Sequence, residues 1–214
     1  MDPRRACLRT LPVTLAVTLA AVLACALPVA AEESAGPIYN VELIVFRTNS
    51  AQGVPENWSG EAGARSIAGD ESASGSSQVG RFVALLPPAA YQLNELETRL
   101  RASGGYLPVA HVAWSQTASA WGTRAGFPLA RLGVDVPGLS GTVFLERGQF
   151  LHLGLSLSWA MATPPDGLGV AAGTPFTLNE TRRVRFYERN YYDHPAFGVI
   201  ALVTPSQGTR PPGR

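Results

Sequence analysis

Lysine is absent from this 214-residue chain: all 17 basic residues are arginine, set against 16 Asp and Glu. The pattern follows genome base composition, since lysine codons are A-rich, and carries no chemistry. Charged residues make up only 15% of the chain and the formal net charge is +1, so there is no basic face of the kind that nucleic acid requires. Only two cysteines occur, Cys7 and Cys25, and both lie near the N-terminus. A chain that loses this segment has no disulfide and no thiol nucleophile. Past that segment no apolar stretch reaches the length of a bilayer span. A Gly-x-Ser-x-Gly elbow is missing, and "GLSLSW" reads as strand, so a serine nucleophile of that type is excluded. No phosphate-binding glycine loop is present either, because "ASGGY" follows a helix and not a strand.

The N-terminus does carry a pattern. Arg4, Arg5 and Arg9 form a basic start, Leu11–Leu27 is uncharged, and "LPVAAEE" places small residues before Glu32. These are the three regions of a secretory signal peptide, with cleavage expected after Ala31. Removal of residues 1–31 leaves 14 arginines and 15 carboxylates, a net charge of −1. The expectation is an exported protein outside the cytoplasm, without a stable membrane span.

The remainder is expected to form one domain over residues 37–205. "YNVELIVFR" (Tyr39–Arg47) is rich in β-branched and aromatic residues and reads as a strand buried on both faces. Residues 48–80 are rich in Gly, Ser and Ala and read as a long flexible loop. "AAYQLNELETRLRASGGY" is the one convincing helix, with Leu93, Leu96 and Leu100 on one side, prolines before it and Gly104–Gly105 after it. "YLPVAHVAWSQ" alternates as a strand, with Val109, His111 and Ala113 on one face and Ala110, Val112 and Trp114 on the other. "LSGTVFLERGQFLHLGLSLSWAM" reads as a hairpin turning near Gly148. "FTLNETRRVRFYERNYYDH" reads as one continuous strand, "FGVIALVTP" as a last apolar strand, and 206–214 as a disordered tail. One helix among about six strands gives an α+β class: a mostly antiparallel β-sheet with the helix packed on a face.

Candidate reactive groups are few. His111, His152 and His194 are the three histidines, and only His194 has a carboxylate beside it, Asp193. Neighbours on a strand point to opposite faces, so Asp193 and His194 do not share one ion, and no zinc-ligand spacing occurs. No metal and no cofactor is expected. Glu42, Glu95, Glu146 and Glu188 sit in plain strand or helix-face contexts, where a solvated charge is the simplest reading. "TRRVRFYERNYY" is more suggestive: by strand parity Arg183, Arg185 and Tyr187 share a face. Arginine beside aromatic rings grips carboxylates and stacks on planar groups, and sugars with acidic substituents offer both. The alternative is an edge strand protected from aggregation by its charges.

Three blocks, in order, resemble the CsiV-type proteins, an exported peptidoglycan-binding family of Gram-negative bacteria linked to cell-shape integrity. "YNVELIVFR" is similar to the family's first strand. "GGYLPVAHVAWSQ" is similar to its His-x-x-Trp-x-Gln segment, here His111, Trp114 and Gln116. "TRRVRFYERNYYDHPAFGVIALVTP" is similar to its paired-Arg strand followed by Tyr-x-Asp-His-Pro-x-Phe-Gly, here Tyr191, Asp193, His194, Pro195, Phe197 and Gly198. The resemblance implies a non-enzymatic protein of the periplasm that binds peptidoglycan, with an outer-membrane activator of a class A penicillin-binding synthase as a further partner. The binding candidates are then Arg183, Arg185, Tyr187, His111, Trp114, Asp193 and His194. Two other readings stay open: a cell-wall hydrolase using His111, Asp193 and His194, and a purely structural envelope protein.

Overall fold

A computed structural model describes residues 36–49 and 80–206. The expected signal segment (1–31) and nearly all of the expected loop (48–80) and tail (206–214) lie outside the described residues.

Among the described residues there are ten strands, in two sheets. The first sheet has the order β2-β3-β1-β10-β9, built from Phe82–Leu85, Tyr106–Thr117, Ile38–Thr48, Phe197–Pro205 and Arg189–His194. Every neighbouring pair in it is antiparallel. The second sheet has the order β4-β6-β7-β8, from Ser119–Ala120, Leu139–Arg147, Leu151–Ala160 and Pro175–Arg183, with the two-residue β5 (Phe127–Pro128) also on β6.

The period of two in β1 explains the layering. Tyr39, Val41, Leu43 and Val45 point to one side and join Leu153, Leu155, Leu157, Phe176 and Val199 in the core between the sheets. Ile44 and Phe46 point to the other side and meet Leu93, Ile200 and Leu202, with Leu96 and Leu100 packed against them. That second cluster seats helix α1 (Asn94–Ala102) on the outer face of the first sheet. The leucine spacing at i, i+3 and i+7 supplies the stripe that this face buries. The chain is therefore α+β, mostly antiparallel, with one helix on a sheet face; the strands divide into two packed sheets and not one.

Helix α1 is shorter than the sequence pattern. It starts at Asn94, after a separate 3-10 turn at Pro88–Ala90, and ends before Gly104, whose φ of +69° is the left-handed conformation that glycine tolerates at a helix C-terminus. The β6–β7 hairpin turns at Gly148–Phe150, as its glycine predicts. The larger departure is "FTLNETRRVRFYERNYYDH". It breaks after Arg183, leaves the second sheet, and re-enters the first as β9 from Arg189. Tyr187 has φ +64° at that crossing, so the strand parity that would align Arg183, Arg185 and Tyr187 does not hold. The phenol of Tyr192, on β9, then donates to the Leu153 carbonyl of β7 at 3.0 Å and ties the two sheets together. Among the described residues no helix is long and apolar enough to cross a membrane.

Candidate functional site

Block by block, the sequence motifs resolve into buried struts and one exposed surface. The first strut is a chain of charge beneath the helix. Glu42 of β1 is only 5% exposed, a correction to its reading as a solvated charge. Its carboxylate accepts the backbone N–H of Gln92 and of Leu93, each at 2.8 Å, at the start of α1. The N-cap residue Leu93 has no side-chain cap, and a carboxylate from another element instead holds the two amides that lead into the helix. His111 of β3 lies between Nε2–Glu42 Oε1 and Nδ1–Glu97 Oε2, both 2.7 Å. Glu97 is in turn held by Arg101 at 2.6 Å.

This linkage sets protonation. Burial alone depresses the His111 imidazolium, but the hydrogen bonds it donates to Glu42 and Glu97 outweigh that and raise the group above 6.5. Burial likewise lifts Glu97, but the Arg101 and His111 contacts prevail and hold it below 4.5. The His111 contribution to stability is complete below its unfolded value and fades as pH rises through the higher folded one; that of Glu97 is present above 4.5 and is lost as pH falls. Both are in force between 4.5 and 6.5. In urea denaturation, the stability gap between the protein and His111→Gln should be widest near about pH 5.5 and shrink by about pH 8.5. A gap that widened toward alkaline pH would contradict the protonated bridge.

The second strut is Trp114, with no exposed surface. Its indole N–H donates to Gln116 Oε1 at 2.7 Å, and Gln116 Nε2 donates to the Thr117 carbonyl at 3.2 Å. Trp114 has no surface with which to touch a ligand and can affect one only through the core. His194 is a third interior group. It packs on Phe176 and Phe197, and its Nδ1 accepts the Ala196 N–H at 3.1 Å. Burial lowers its pKa, against the pull of Asp193. Pro195 and Ala196 form the turn itself, with Asp193 and His194 ending β9.

The exposed surface lies on the helix-side face of the first sheet. Phe46 on β1 stacks with Tyr191 on β9 (5.9 Å, 15°) and meets Tyr106 on β3 edge-on (5.3 Å, 84°). Its ring lies across Gly198, where a Cβ would come within 2.5 Å of the ring tip, so the glycine of the third block makes room for the phenylalanine of the first. Tyr106 is 39% and Tyr191 41% exposed. The Tyr191 phenol donates to Asp193 Oδ1 at 3.2 Å. Burial, then the Asp193 charge, pushes that phenol up to about 12, so it remains a donor near neutral pH. The recess beside Glu42, lined by Asn40, Leu86, Ala90, Gln92 and Thr204, measures about 60 Å³. That is far below the roughly 300–1,000 Å³ of ordinary ligand pockets, so a large ligand meets open surface here.

The sequence candidates thus separate. Asp193 joins the exposed aromatic surface. His111 lies beneath the helix, with its side chain 8% exposed, and His194 lies on the opposite face of the same sheet, in the shared core. The two histidines and Asp193 do not assemble into a reactive group. Arg183, Arg185 and Tyr187 are exposed near the end of β8 and in the following crossing. Among the described residues no group of three His, Cys, Asp or Glu side chains is placed to hold a metal ion.

A family model described as "Peptidoglycan-binding protein, CsiV" matches residues 14–206. The chain belongs to the CsiV family. No curated protein and no solved structure matches it. In this CsiV chain the three sequence blocks meet in space: Phe46 from the first, Tyr106 from the second, Tyr191, Asp193 and Gly198 from the third. Sequence reasoning missed the exposed Tyr106, since an aromatic residue in a strand reads first as core, and did not connect it to the buried Phe46 on which Tyr106 and Tyr191 pack. The signal that finds them is Gly198, a glycine inside an apolar strand, which marks close approach by another group.

Proposed function

We propose that this CsiV-family chain is an exported, non-enzymatic protein of the periplasm that binds peptidoglycan and supports cell-wall assembly and cell shape. Its further partner is an outer-membrane activator of a class A penicillin-binding synthase. The observation that carries the reading is the family match over residues 14–206. The exposed Tyr106–Tyr191–Asp193 surface, packed on the buried Phe46 ring, supports it chemically. Aromatic faces stack on the C–H faces of sugars, while phenol and carboxylate oxygens accept from sugar hydroxyls and from ammonium groups on the stem peptide.

The test is co-sedimentation with purified sacculi, using the full chain expressed with its leader in a Gram-negative host. The protein should be recovered from the periplasmic fraction with Glu32 as its first residue. At low salt it should pellet with sacculi, and Tyr191→Ala combined with Asp193→Ala should reduce the bound fraction several-fold. Affinity capture from envelope extracts should retain the synthase activator. Protein that stays in the supernatant at low salt overturns the reading.

A further inference from the structure

On the far side of the molecule from the helix, the outer face of the second sheet carries another cluster of rings. Trp121 follows β4 and is 56% exposed; Phe150, in the β6–β7 turn, is 39% exposed. Between them is His152, whose outward direction follows from Leu153 pointing into the core. The Trp121 ring lies 4.1 Å from that of His152. His152 Nδ1 contacts the Phe150 carbonyl at 3.2 Å, and a carbonyl only accepts, so Nδ1 carries the proton and the ring is oriented. Arg183 pairs with His152 across β7 and β8, and its guanidinium lies 3.4 Å over the Phe150 ring. Among the described residues no carboxylate forms an ion pair with Arg183.

The loop that presents Trp121 is held at a cost. Glu146 is 2% exposed, another carboxylate that the sequence suggests is solvated. It is spent on accepting the backbone N–H groups of Gly122 and Arg124. Arg124 has φ +50°, the left-handed region that a non-glycine residue avoids. A buried carboxylate and an unfavourable backbone are retained at functional sites when the surrounding structure needs one geometry. What they fix in place is the most exposed tryptophan side chain of the described residues. Exposing an indole to water gains the folded chain nothing, whereas a rigid indole with an unpaired guanidinium nearby suits a ligand with an apolar flat face and a carboxylate.

We propose that Trp121, Phe150 and Arg183 form a saccharide subsite, with the indole stacking on the ring face of an N-acetylhexosamine and Arg183 pairing with a carboxylate borne on that sugar. This rests on the peptidoglycan-binding reading and locates a second contact for the glycan strand, apart from the Tyr191 surface. The half-exposed Trp121 indole leads the contact, and an aromatic face suits the C–H face of a sugar ring, which favours glycan over stem peptide.

The full chain is titrated calorimetrically with peptide-free glycan strands and, in parallel, with chitooligosaccharides, which lack the carboxylate. Trp121→Ala should weaken binding of the strands about tenfold or more, as loss of an aromatic anchor does, and Trp121→Phe should restore most of it. Arg183→Gln should weaken the strands but leave chitooligosaccharide binding unchanged. The subsite is overturned if Trp121→Ala, with an unaltered thermal midpoint, binds the strands within twofold of the parent. It is also overturned if the parent sediments with sacculi yet ignores peptide-free strands; the peptidoglycan reading then survives without it. A parent that binds neither sacculi nor strands overturns that reading as well.

Discussion

Glu42→Ala is expected to lower the unfolding free energy by about 3–5 kcal/mol, the range seen when one partner of a buried charged pair is removed. The Glu42 side chain is 7% exposed and accepts from His111 and from the Gln92 and Leu93 N–H groups. Alanine leaves three donors without their acceptor, and two of them are the amides that lead into the helix. The damage should therefore be local first: amide exchange should speed up at Leu93–Leu96 before it does in the strands. Glu42→Gln keeps one oxygen acceptor and should cost less, about 1–3 kcal/mol. Urea denaturation of the three proteins measures this. A loss under about 1 kcal/mol for the alanine variant would show that the helix is held by its leucine stripe alone.

Trp114→Ala should be comparably severe, about 3–5 kcal/mol, because it empties a fully buried site. Trp114→Phe separates two contributions. It retains most of the apolar volume but strands the buried Gln116 carbonyl oxygen that the indole N–H now satisfies at 2.7 Å, at a cost of about 1–3 kcal/mol. Adding Gln116→Leu to Trp114→Phe should then recover part of the loss, a non-additive result expected for groups in direct contact. Strictly additive losses would mean that the indole–amide bond contributes little. A Trp114→Ala protein that bound sacculi normally while losing stability would assign this member of the His-x-x-Trp-x-Gln segment to the fold.

Much of the architecture is legible in the sequence, for a physical reason. β1 buries nearly all of one face, and β3 and the β6–β7 hairpin bury a large part of one; a buried face imprints a period of two. Helix α1 is legible from three leucines. The break between β8 and β9 is not, because Val184 is buried between exposed neighbours. It therefore sustains an alternating pattern across a point where the backbone changes sheets. Glu42 and Glu146 were misread for a related reason. A carboxylate in a strand looks solvated unless its partners are known; those of Glu42 lie 50, 51 and 69 residues away, and those of Glu146 are backbone amides in a loop. The exposed aromatic surface is half legible: Asp193 is marked by its neighbour His194, but Tyr106 and Tyr191 share a face only through the buried Phe46 between them.

The position of β1 has a consequence for how the chain matures. Its two neighbours are β3 and β10, so the first strand waits for the last before its second edge is paired. The register joins Tyr39 to Pro205 and Arg47 to Phe197, almost the greatest sequence separation the described residues permit. Such pairing is slow to form, because a long loop must close before any contact rewards it. Until β10 arrives, β1 is a strongly apolar open edge, and a chain cut short before Phe197 keeps that edge permanently, the condition that invites intermolecular pairing. Synthesis of the C-terminal strand is thus the step that commits the molecule to its fold, and holding the chain unfolded until then protects it.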